Sequence, residues 1–159
     1  MAHQQIGEIL KYAKDFIIMS IIVLSGLFFT SKAHAYSPKQ IECIARNVYH
    51  ESRGEGTKGM LAVAYVTLNR AKSGKFPSTP CEVVFQANQF SWVRNRPAVK
   101  DKDQYEDVKQ LVKGVVDGKY KDVTNGATYF HARAIKPKWS NRMDCTAKIG
   151  NHVFYKPSK

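Results

Sequence analysis

The segment GMLAVAYVTLNRAK, from Gly59 to Lys72, would be apolar on nearly every side of a helix. A helix of this kind packs in the middle of a domain, because it has no broad polar face to turn toward water. Gly74 follows the segment closely, where a glycine commonly ends a helix. We therefore predict a buried central helix from about Thr57 to Lys72, with the other elements packed around it.

Capping signals predict a helix on each side of the central one. The stretch SPKQ, Ser37 to Gln40, has a serine, then a proline, then a glutamine three residues after the serine, which is the pattern of a capping box. The apolar residues that follow recur at helical spacing on one face: Ile41, Ile44, Ala45 and Val48. Gly54 and Gly56 are expected to end this first helix. The stretch TPCE, Thr79 to Glu82, is a second capping box and predicts a short helix to about Ala87.

The C-terminal part of the chain changes from a helical to a strand pattern. A helical period between Asp101 and Asp117, closed by Gly118, predicts an amphipathic surface helix. Beyond residue 122, Asn125-Gly126 is a turn signal and ATYFHA has the composition of a strand. The segments TAKIG and HVFYK flank Gly150-Asn151 as a hairpin. We predict an α+β fold, a helical body with a small β element at its C-terminal end.

The first 35 residues have the pattern of an export signal. Lys11 and Lys14 precede the apolar run FIIMSIIVLSGLFFT, Phe16 to Thr30, and Ala33-His34-Ala35 resembles a cleavage site. The run is shorter than the about 20 residues that a membrane span needs. We predict a secretory signal over residues 1–35, with an uncleaved signal anchor as the alternative. Residues 36–159 then form one working domain outside the cytoplasm.

Composition limits the classes of function. A hydrophobic content of 43% in 159 residues indicates a folded domain and excludes a disordered tail. The formal net charge of +12 is spread along the chain and predicts attraction to a polyanion. Nucleic acid, teichoic acid, an anionic membrane face and acidic peptidoglycan all fit this charge.

The chain contains three cysteines, at positions 43, 81 and 145. Outside the cytoplasm one disulfide and one remaining thiol are expected, and the sequence leaves all three pairings open. A zinc site is not expected, because no two cysteines have ligand spacing and His152 lies seven residues beyond Cys145.

The stretch YHESRGEG, Tyr49 to Gly56, places two carboxylates at the end of the first helix. Glu51 lies three residues after Val48 and so continues the apolar stripe, which predicts a carboxyl group that is partly desolvated at a cleft. Desolvation raises a carboxyl pKa, as a general acid near neutral pH requires, and a second negative charge at Glu55 would act in the same direction. The alternative is structural: Glu51 pairs with Arg53 or Arg70, and Glu55 is a solvated loop residue.

Several linked motifs resemble one enzyme family. The stretch from IARNVYHESRGEG through STPCEVVFQANQFSW, and the later GATYFHARAIKPKWSNRM and AKIGNHVFYKP, are similar to the SleB-type cell wall hydrolases. This family comprises the catalytic domain of spore cortex-lytic enzymes and related phage and bacterial peptidoglycan hydrolases. The resemblance spans roughly residues 41–157. It implies a fold like that of lysozyme and lytic transglycosylases, with the catalytic glutamate of the E-x-R-G-E motif at Glu51.

The resemblance also implies the reaction. Glu51 would protonate the oxygen of the β-1,4 bond between N-acetylmuramic acid and N-acetylglucosamine, and would then act as a base. A lytic transglycosylase uses the muramoyl 6-hydroxyl as acceptor and forms a 1,6-anhydro end. A muramidase uses water and usually a second carboxylate. Glu55 is the only other acid close in sequence, and the resemblance implies a supporting role for it.

Polar and aromatic residues after the third helix and near the C-terminus are candidates for binding sugar. Alternation along the ATYFHA strand points Tyr129 and His131 in one direction, either into a groove or into a buried structural pair. Trp139 is either a sugar platform or a core anchor, while Asn69 and Arg70 are expected to be structural. The loop that follows the third helix is suited to stacking on sugar faces and to binding acetamido groups, although its two aromatic residues fit a core role equally well: Gln89, Phe90, Ser91 and Trp92.

Two other classes of function compete with this interpretation. A secreted basic nuclease would use a metal ion with an acid and His50, His131 or His152, but the sequence has no compact ligand constellation. A wall-binding module without activity is the other, and the intact ESRGE motif disfavours it. We predict an exported, monomeric peptidoglycan glycosidase, with neither a cofactor nor a metal and with no nucleic acid partner. Contact with a membrane is expected only through an uncleaved signal.

Overall fold

The computed structural model describes residues 36 to 158, so the predicted export signal over residues 1–35 lies outside the described residues. No helix within the described range is both long and apolar enough to cross a membrane. The helices are α1 Pro38–Ser52, α2 Gly56–Lys72, α3 Pro80–Phe85, α4 Trp92–Asn95 and α5 Lys102–Val116. The strands are β1 Tyr129–Ala132, β2 Met143–Ile149 and β3 His152–Pro157, and a short 3₁₀ helix spans Lys138–Arg142.

The helix starts follow their capping signals. At α1 the Ser37 hydroxyl accepts from the Gln40 backbone N–H, and the Gln40 side chain accepts from the Ser37 N–H at 2.9 Å. Thr79 and Glu82 make the same reciprocal pair at α3. The third helix ends at Phe85, two residues earlier than predicted, because Gln86 already has extended backbone angles. Both capping boxes are confirmed.

Helix α2 is the centre of the helical body, as its composition predicts. It packs against α1, α3 and α5. One cluster of fully or nearly fully buried residues fills the space between α1, α2 and α5, among them Ile44, Val48, Val63, Val108 and Val112. Gly54, between α1 and α2, and Gly56, the first residue of α2, both have positive φ, so this sharp connection suits glycine. The connection directs the end of α1 toward the sheet.

A disulfide joins two of the helices. Cys43 in α1 bonds to Cys81 in α3, with a Cα–Cα distance of 5.2 Å, and Cys145 is an exposed free thiol. This is one of the three pairings that the sequence left open. The bond ties α3 to the helix that carries Glu51.

The three strands form one antiparallel sheet in the order β1-β3-β2. The predicted hairpin is confirmed, with its turn at Gly150-Asn151 between β2 and β3. The sheet packs on α2 through a second buried cluster: Ala62, Val66, Ala127, Ile149 and Phe154. Because β3 is the central strand, its first residue, His152, pairs with Ala132 at the end of β1. This end of the sheet faces the end of α1.

Candidate active site

A cleft of about 930 Å³ lies where the end of α1 meets the sheet. Its walls come from α1, α2, the segment before and within α4, and the paired ends of β1 and β3. Its lining contains residues from each: Glu51, Arg70, Ala87, Asn88, Gln89, Phe90, Ser91, Val93, Arg94, Asn95, Phe130, His131, Ala132 and His152. Glu51 is the only carboxylate among the described residues that line it.

Glu51 is the penultimate residue of α1 and is half-buried at the cleft. Burial raises the pKa of its carboxyl group above the ordinary value, and the positive charge of Arg70 opposes this effect. Among the described residues, Glu51 has no hydrogen-bond or ion-pair partner. The structure therefore agrees with the partly desolvated, accessible carboxyl group that the apolar stripe predicted. The alternative of an ion pair with Arg53 or Arg70 is not what the structure shows.

Arg70, on α2, is 5% exposed and lines the same cleft. Its Nε donates to the Thr128 carbonyl oxygen at 2.7 Å. Burial lowers the pKa of Arg70 to about 10, while the charge of Glu51 acts in the opposite direction. Arg70 therefore remains charged at neutral pH. Its neighbour Asn69 has a structural role, since its amide nitrogen donates to Asp122 and to the Ala127 carbonyl.

Glu55 is not part of the described cleft lining and binds the hairpin. Its Oε2 accepts from the Asn151 backbone N–H at 2.8 Å, and its Oε1 lies 4.0 Å from His152 Nδ1. Its side chain is only 9% exposed, so the description of Glu55 as a solvated loop residue is wrong. The expectation that Glu55 raises the pKa of Glu51 is wrong as well, because burial alone accounts for the increase.

The loop between α3 and α4 supplies one wall of the cleft. Gln89, Phe90 and Ser91 all line it, and Phe90 is also 5% exposed and packed in a small cluster with Val84. Phe90 thus packs in the core and at the same time lines the cleft. Trp92 does not line the cleft and takes the core role.

The position of Trp92 corrects its assignment as a sugar-binding residue. It begins α4 instead of lying in a loop, and it is 7% exposed. Its Nε1 donates to Asn47 Oδ1 at 3.0 Å, and its ring stacks on His50 at 4.6 Å. These contacts hold the indole inside the helical body, away from the residues that line the cleft.

The predicted aromatic residues of the C-terminal part lie together, yet only one lines the cleft. Trp139 contacts both other rings, with its centroid 5.8 Å from that of Tyr129 and 5.6 Å from that of His131. His131 lines the cleft; it stacks on Tyr155, and its Nε2 lies 3.0 Å from the Tyr155 hydroxyl. Tyr129 and Trp139 do not belong to the described lining of the cleft. Both rings are half-buried, and of the two it is Trp139 that contacts His131.

Several lining residues were not predicted from the sequence. His152 and Phe130 reach the cleft because β3 pairs with β1, and their rings meet edge to face at 5.2 Å. Burial lowers the pKa of His152, so its imidazole is uncharged at neutral pH. Arg94 and Asn95 belong to α4, which is too short to leave a periodic signal. Correct pairing of the hairpin with the ATYFHA strand would have identified His152.

The chemistry available at this cleft is that of one acid. Within residues 36–158, no three histidine, cysteine, aspartate or glutamate side chains lie together as a metal site. A carboxyl group with a raised pKa can hold a proton near neutral pH and donate it to a bound ligand. Amide, hydroxyl, imidazole and aromatic groups around it can bind a polar ligand with apolar faces.

A family model described as Cell Wall Hydrolase matches residues 54–155. The chain belongs to the cell wall hydrolase family. The matched segment begins just after Glu51 and includes the rest of the cleft lining. The resemblance read from the sequence motifs is therefore confirmed at the level of the family.

Curated relatives of this chain are named spore cortex-lytic enzymes. The chain is 35% identical to that of Bacillus cereus over 131 residues, which is 80% of this chain and 48% of the relative. It is 32% identical to that of Halalkalibacterium halodurans over 126 residues, which is 79% of this chain and 37% of the relative. The chain thus spans about half the length of the first relative and less of the second.

Solved structures of similar catalytic domains confirm the fold. The catalytic domain of the Bacillus cereus SleB protein matches with a TM-score of 0.67 and 34% identity, over 77% of this chain and 94% of that one. The catalytic domain of the germination-specific lytic transglycosylase SleB from Bacillus anthracis matches with the same TM-score and identity, over 98% of its own chain. The predicted α+β, lysozyme-like fold is correct.

Proposed function

We propose that this cell wall hydrolase cleaves the β-1,4 bond between N-acetylmuramic acid and N-acetylglucosamine in peptidoglycan, with Glu51 as the catalytic acid. The observation that carries this proposal is the half-buried Glu51 carboxyl group at the cleft, whose pKa is raised by burial. The family and the names of the relatives support peptidoglycan as the substrate.

The first step is proton donation. Protonated Glu51 gives its proton to the glycosidic oxygen while the bond from that oxygen to the muramoyl C1 breaks, and positive charge develops on the sugar ring. Glu51 is left as a carboxylate. In the second step the carboxylate takes a proton from the hydroxyl group that attacks C1, which restores the acid.

The acceptor in the second step is the muramoyl 6-hydroxyl, so the enzyme is a lytic transglycosylase. The support for this choice is that Glu51 is the only carboxylate among the described residues of the cleft. A muramidase usually needs a second carboxylate near the first one. Glu55, the nearest candidate in sequence, is committed to the hairpin through the Asn151 N–H.

The rest of the lining is suited to a glycan strand. Gln89 and Ser91 carry groups that can bind acetamido and hydroxyl groups, and Phe90 and Phe130 offer apolar surface to sugar rings. We assign His131 to substrate contact as well. Trp139 contacts His131 and Tyr129 outside the lining, and Trp92 has a structural role.

The proposed place of action is outside the cytoplasm, where peptidoglycan lies. The similarity to cell wall and spore cortex enzymes supports this location. The export signal proposed for residues 1–35 would deliver the working domain, residues 36–159, as a monomer to the wall.

The test is a turbidity assay with purified sacculi and the Glu51→Gln protein. Glutamine keeps the shape of the side chain but has no acidic proton to transfer, so we expect a folded protein with at least a ~100-fold lower rate. Glu106→Gln is the matched control, because Glu106 lies on the exposed face of α5 and pairs with Lys109. Wild-type turnover in Glu51→Gln, with Glu106→Gln unchanged, would contradict the assignment.

A further inference from the structure

We propose that Arg70 is a positioning residue for Glu51, whose guanidinium stabilises the Glu51 carboxylate in the interval between its two proton transfers. The inference rests on the proposed function for its place in the reaction. The interaction itself is a property of the free protein and can be measured without substrate.

The guanidinium group of Arg70 is held in one orientation. Its Nε donates to the Thr128 carbonyl just before β1. Three aromatic rings enclose its planar group, with centroids 5.1 Å away at Phe76, 5.3 Å at Phe90 and 6.0 Å at Tyr129. A cation fixed in this way needs little reorganisation when a negative charge appears beside it.

Arg70 also has an unused donor. Its Nη1 is buried and, within residues 36–158, has no hydrogen-bond partner. A buried donor without a partner is costly, and such a group in a native structure calls for an explanation. Glu51, across the same cleft, has no partner in the described structure either. The ion pairs of the described residues lie elsewhere, at Lys109–Glu106 and Lys113–Asp117, and the carboxylate of Glu55 lies near the His152 ring.

The Glu51 carboxyl group and the Arg70 guanidinium line the same cleft without forming an ion pair, and each affects the pKa of the other. The positive charge of Arg70 lowers the pKa of Glu51, against the larger opposing effect of burial. The other titratable groups of the lining are Arg94 on α4, His131 on β1 and His152 on β3. Among the groups that line the cleft, Arg70 is the one whose positive charge lowers the pKa of Glu51.

This arrangement suits a group that must change its charge twice. With Glu51 protonated, burial favours the neutral acid, and no ion pair forms. When the proton moves to the glycosidic oxygen and the C1–O bond breaks, the new carboxylate shares the cleft with a fixed cation whose Nη1 has no partner among the described residues, and the opposite charges attract. When the carboxylate takes the proton of the attacking hydroxyl and the new C1–O bond forms, the pair separates.

The direct test is a carbon-13 NMR titration of the glutamate carboxyl groups in the purified protein, with the Glu51 signal assigned by its loss in Glu51→Gln. We expect Arg70→Met to move the Glu51 midpoint to higher pH by on the order of one pH unit, because the opposing charge is gone. Arg46→Met is the matched control. Arg46 is half-buried over Trp92 at 5.9 Å and is outside the cleft lining. An unchanged Glu51 midpoint in a folded Arg70→Met protein would overturn the proposal.

A second measurement covers the case in which Arg70→Met does not fold. Arg70→Lys keeps a charge but lacks the fixed fork of donors. If Arg70 pairs with the ionised acid, the loss of stability in Arg70→Lys should be larger above the Glu51 midpoint than below it, and this pH dependence should vanish in a Glu51→Gln background. A pH-independent loss in both backgrounds would mean that Arg70 is only structural.

The kinetic readout links the interaction to the reaction. Because the acid form of Glu51 is the active one, the rate falls as pH rises through the pKa of Glu51. In Arg70→Met we expect this fall, the alkaline limb of the pH–rate profile, to occur at higher pH. We also expect the plateau rate below the limb to be at least about tenfold lower than in the wild type. A fall in rate with an unmoved limb would contradict the proposal. If the protein does not cleave peptidoglycan at all, the titration and stability results still decide whether Arg70 acts on Glu51.

Discussion

At the scale of single residues, the two glutamates of the ESRGE stretch have different surroundings although they lie four positions apart. Glu51 ends a buried stripe of α1 and meets the cleft, where it has no hydrogen-bond partner among the described residues. Glu55 follows the first glycine of the connection and bonds to the hairpin at Asn151. The same side chain therefore provides an acid at one position and a structural link at the other.

Glu55→Gln should keep most of the activity and lose some stability. The amide oxygen can still accept from the Asn151 N–H, but the charge that favours this hydrogen bond and faces His152 is lost. We expect a loss of about 1 kcal/mol in the free energy of unfolding, measured by urea denaturation. An activity loss as complete as that of Glu51→Gln would instead give Glu55 a part in the chemistry.

The surroundings of a residue were predicted correctly from the sequence where they depend on residues nearby in the chain. The burial of Glu51 follows from its spacing to Val48 three residues earlier. By contrast, the role of Trp92 depends on Asn47, 45 positions away, and the role of Glu55 on Asn151, 96 positions away. Contacts between residues so far apart in the chain arise from tertiary packing, which the spacing of residues in the sequence does not reveal.

At the scale of elements, the cleft depends on how α3 is held. The loop with Gln89, Phe90 and Ser91 follows α3, and α3 is tied to α1 by the Cys43–Cys81 disulfide. The bond therefore links the helix that carries the acid to the wall that faces it.

Removing the disulfide should destabilise the domain. The cysteines are 38 positions apart, and a loop of this length corresponds to about 4 kcal/mol of stabilisation in the chain-entropy model. We expect Cys43→Ala/Cys81→Ala to lower the thermal midpoint by at least about 10 °C, followed by circular dichroism. Cys145→Ser is the control and should change little, because Cys145 is free and exposed. Equal midpoints for the two proteins would contradict a stabilising role for the bond.

Helices and strands were also predicted correctly where the sequence carries a strong local signal. Both capping boxes, the central helix and the hairpin were found, because each has several residues that agree on one structure. Helix α4 and the 3₁₀ helix were missed, since four and five residues are too few to show a period. The order of the strands, with β3 in the middle, also had no local signal.

At the scale of the whole molecule, charge should govern attachment to the wall. The chain carries a formal net charge of +12, and cell walls contain anionic polymers. We expect the Glu51→Gln protein to bind sacculi several-fold less when NaCl rises from about 50 mM to about 500 mM, because salt screens exposed charges. Co-sedimentation would measure this, with sacculi stripped of anionic polymer as the control. Binding that is indifferent to salt would assign attachment to the cleft and not to the overall charge.

The central claim is that one acid, Glu51, cleaves the glycan strand without an activated water molecule. The most direct test is mass spectrometry of the soluble products that the purified protein releases from purified sacculi. The account predicts muropeptides with 1,6-anhydro ends, which disappear with Glu51→Gln. Products with reducing muramic acid ends would contradict it, because they would require water as the acceptor and a second group to activate that water.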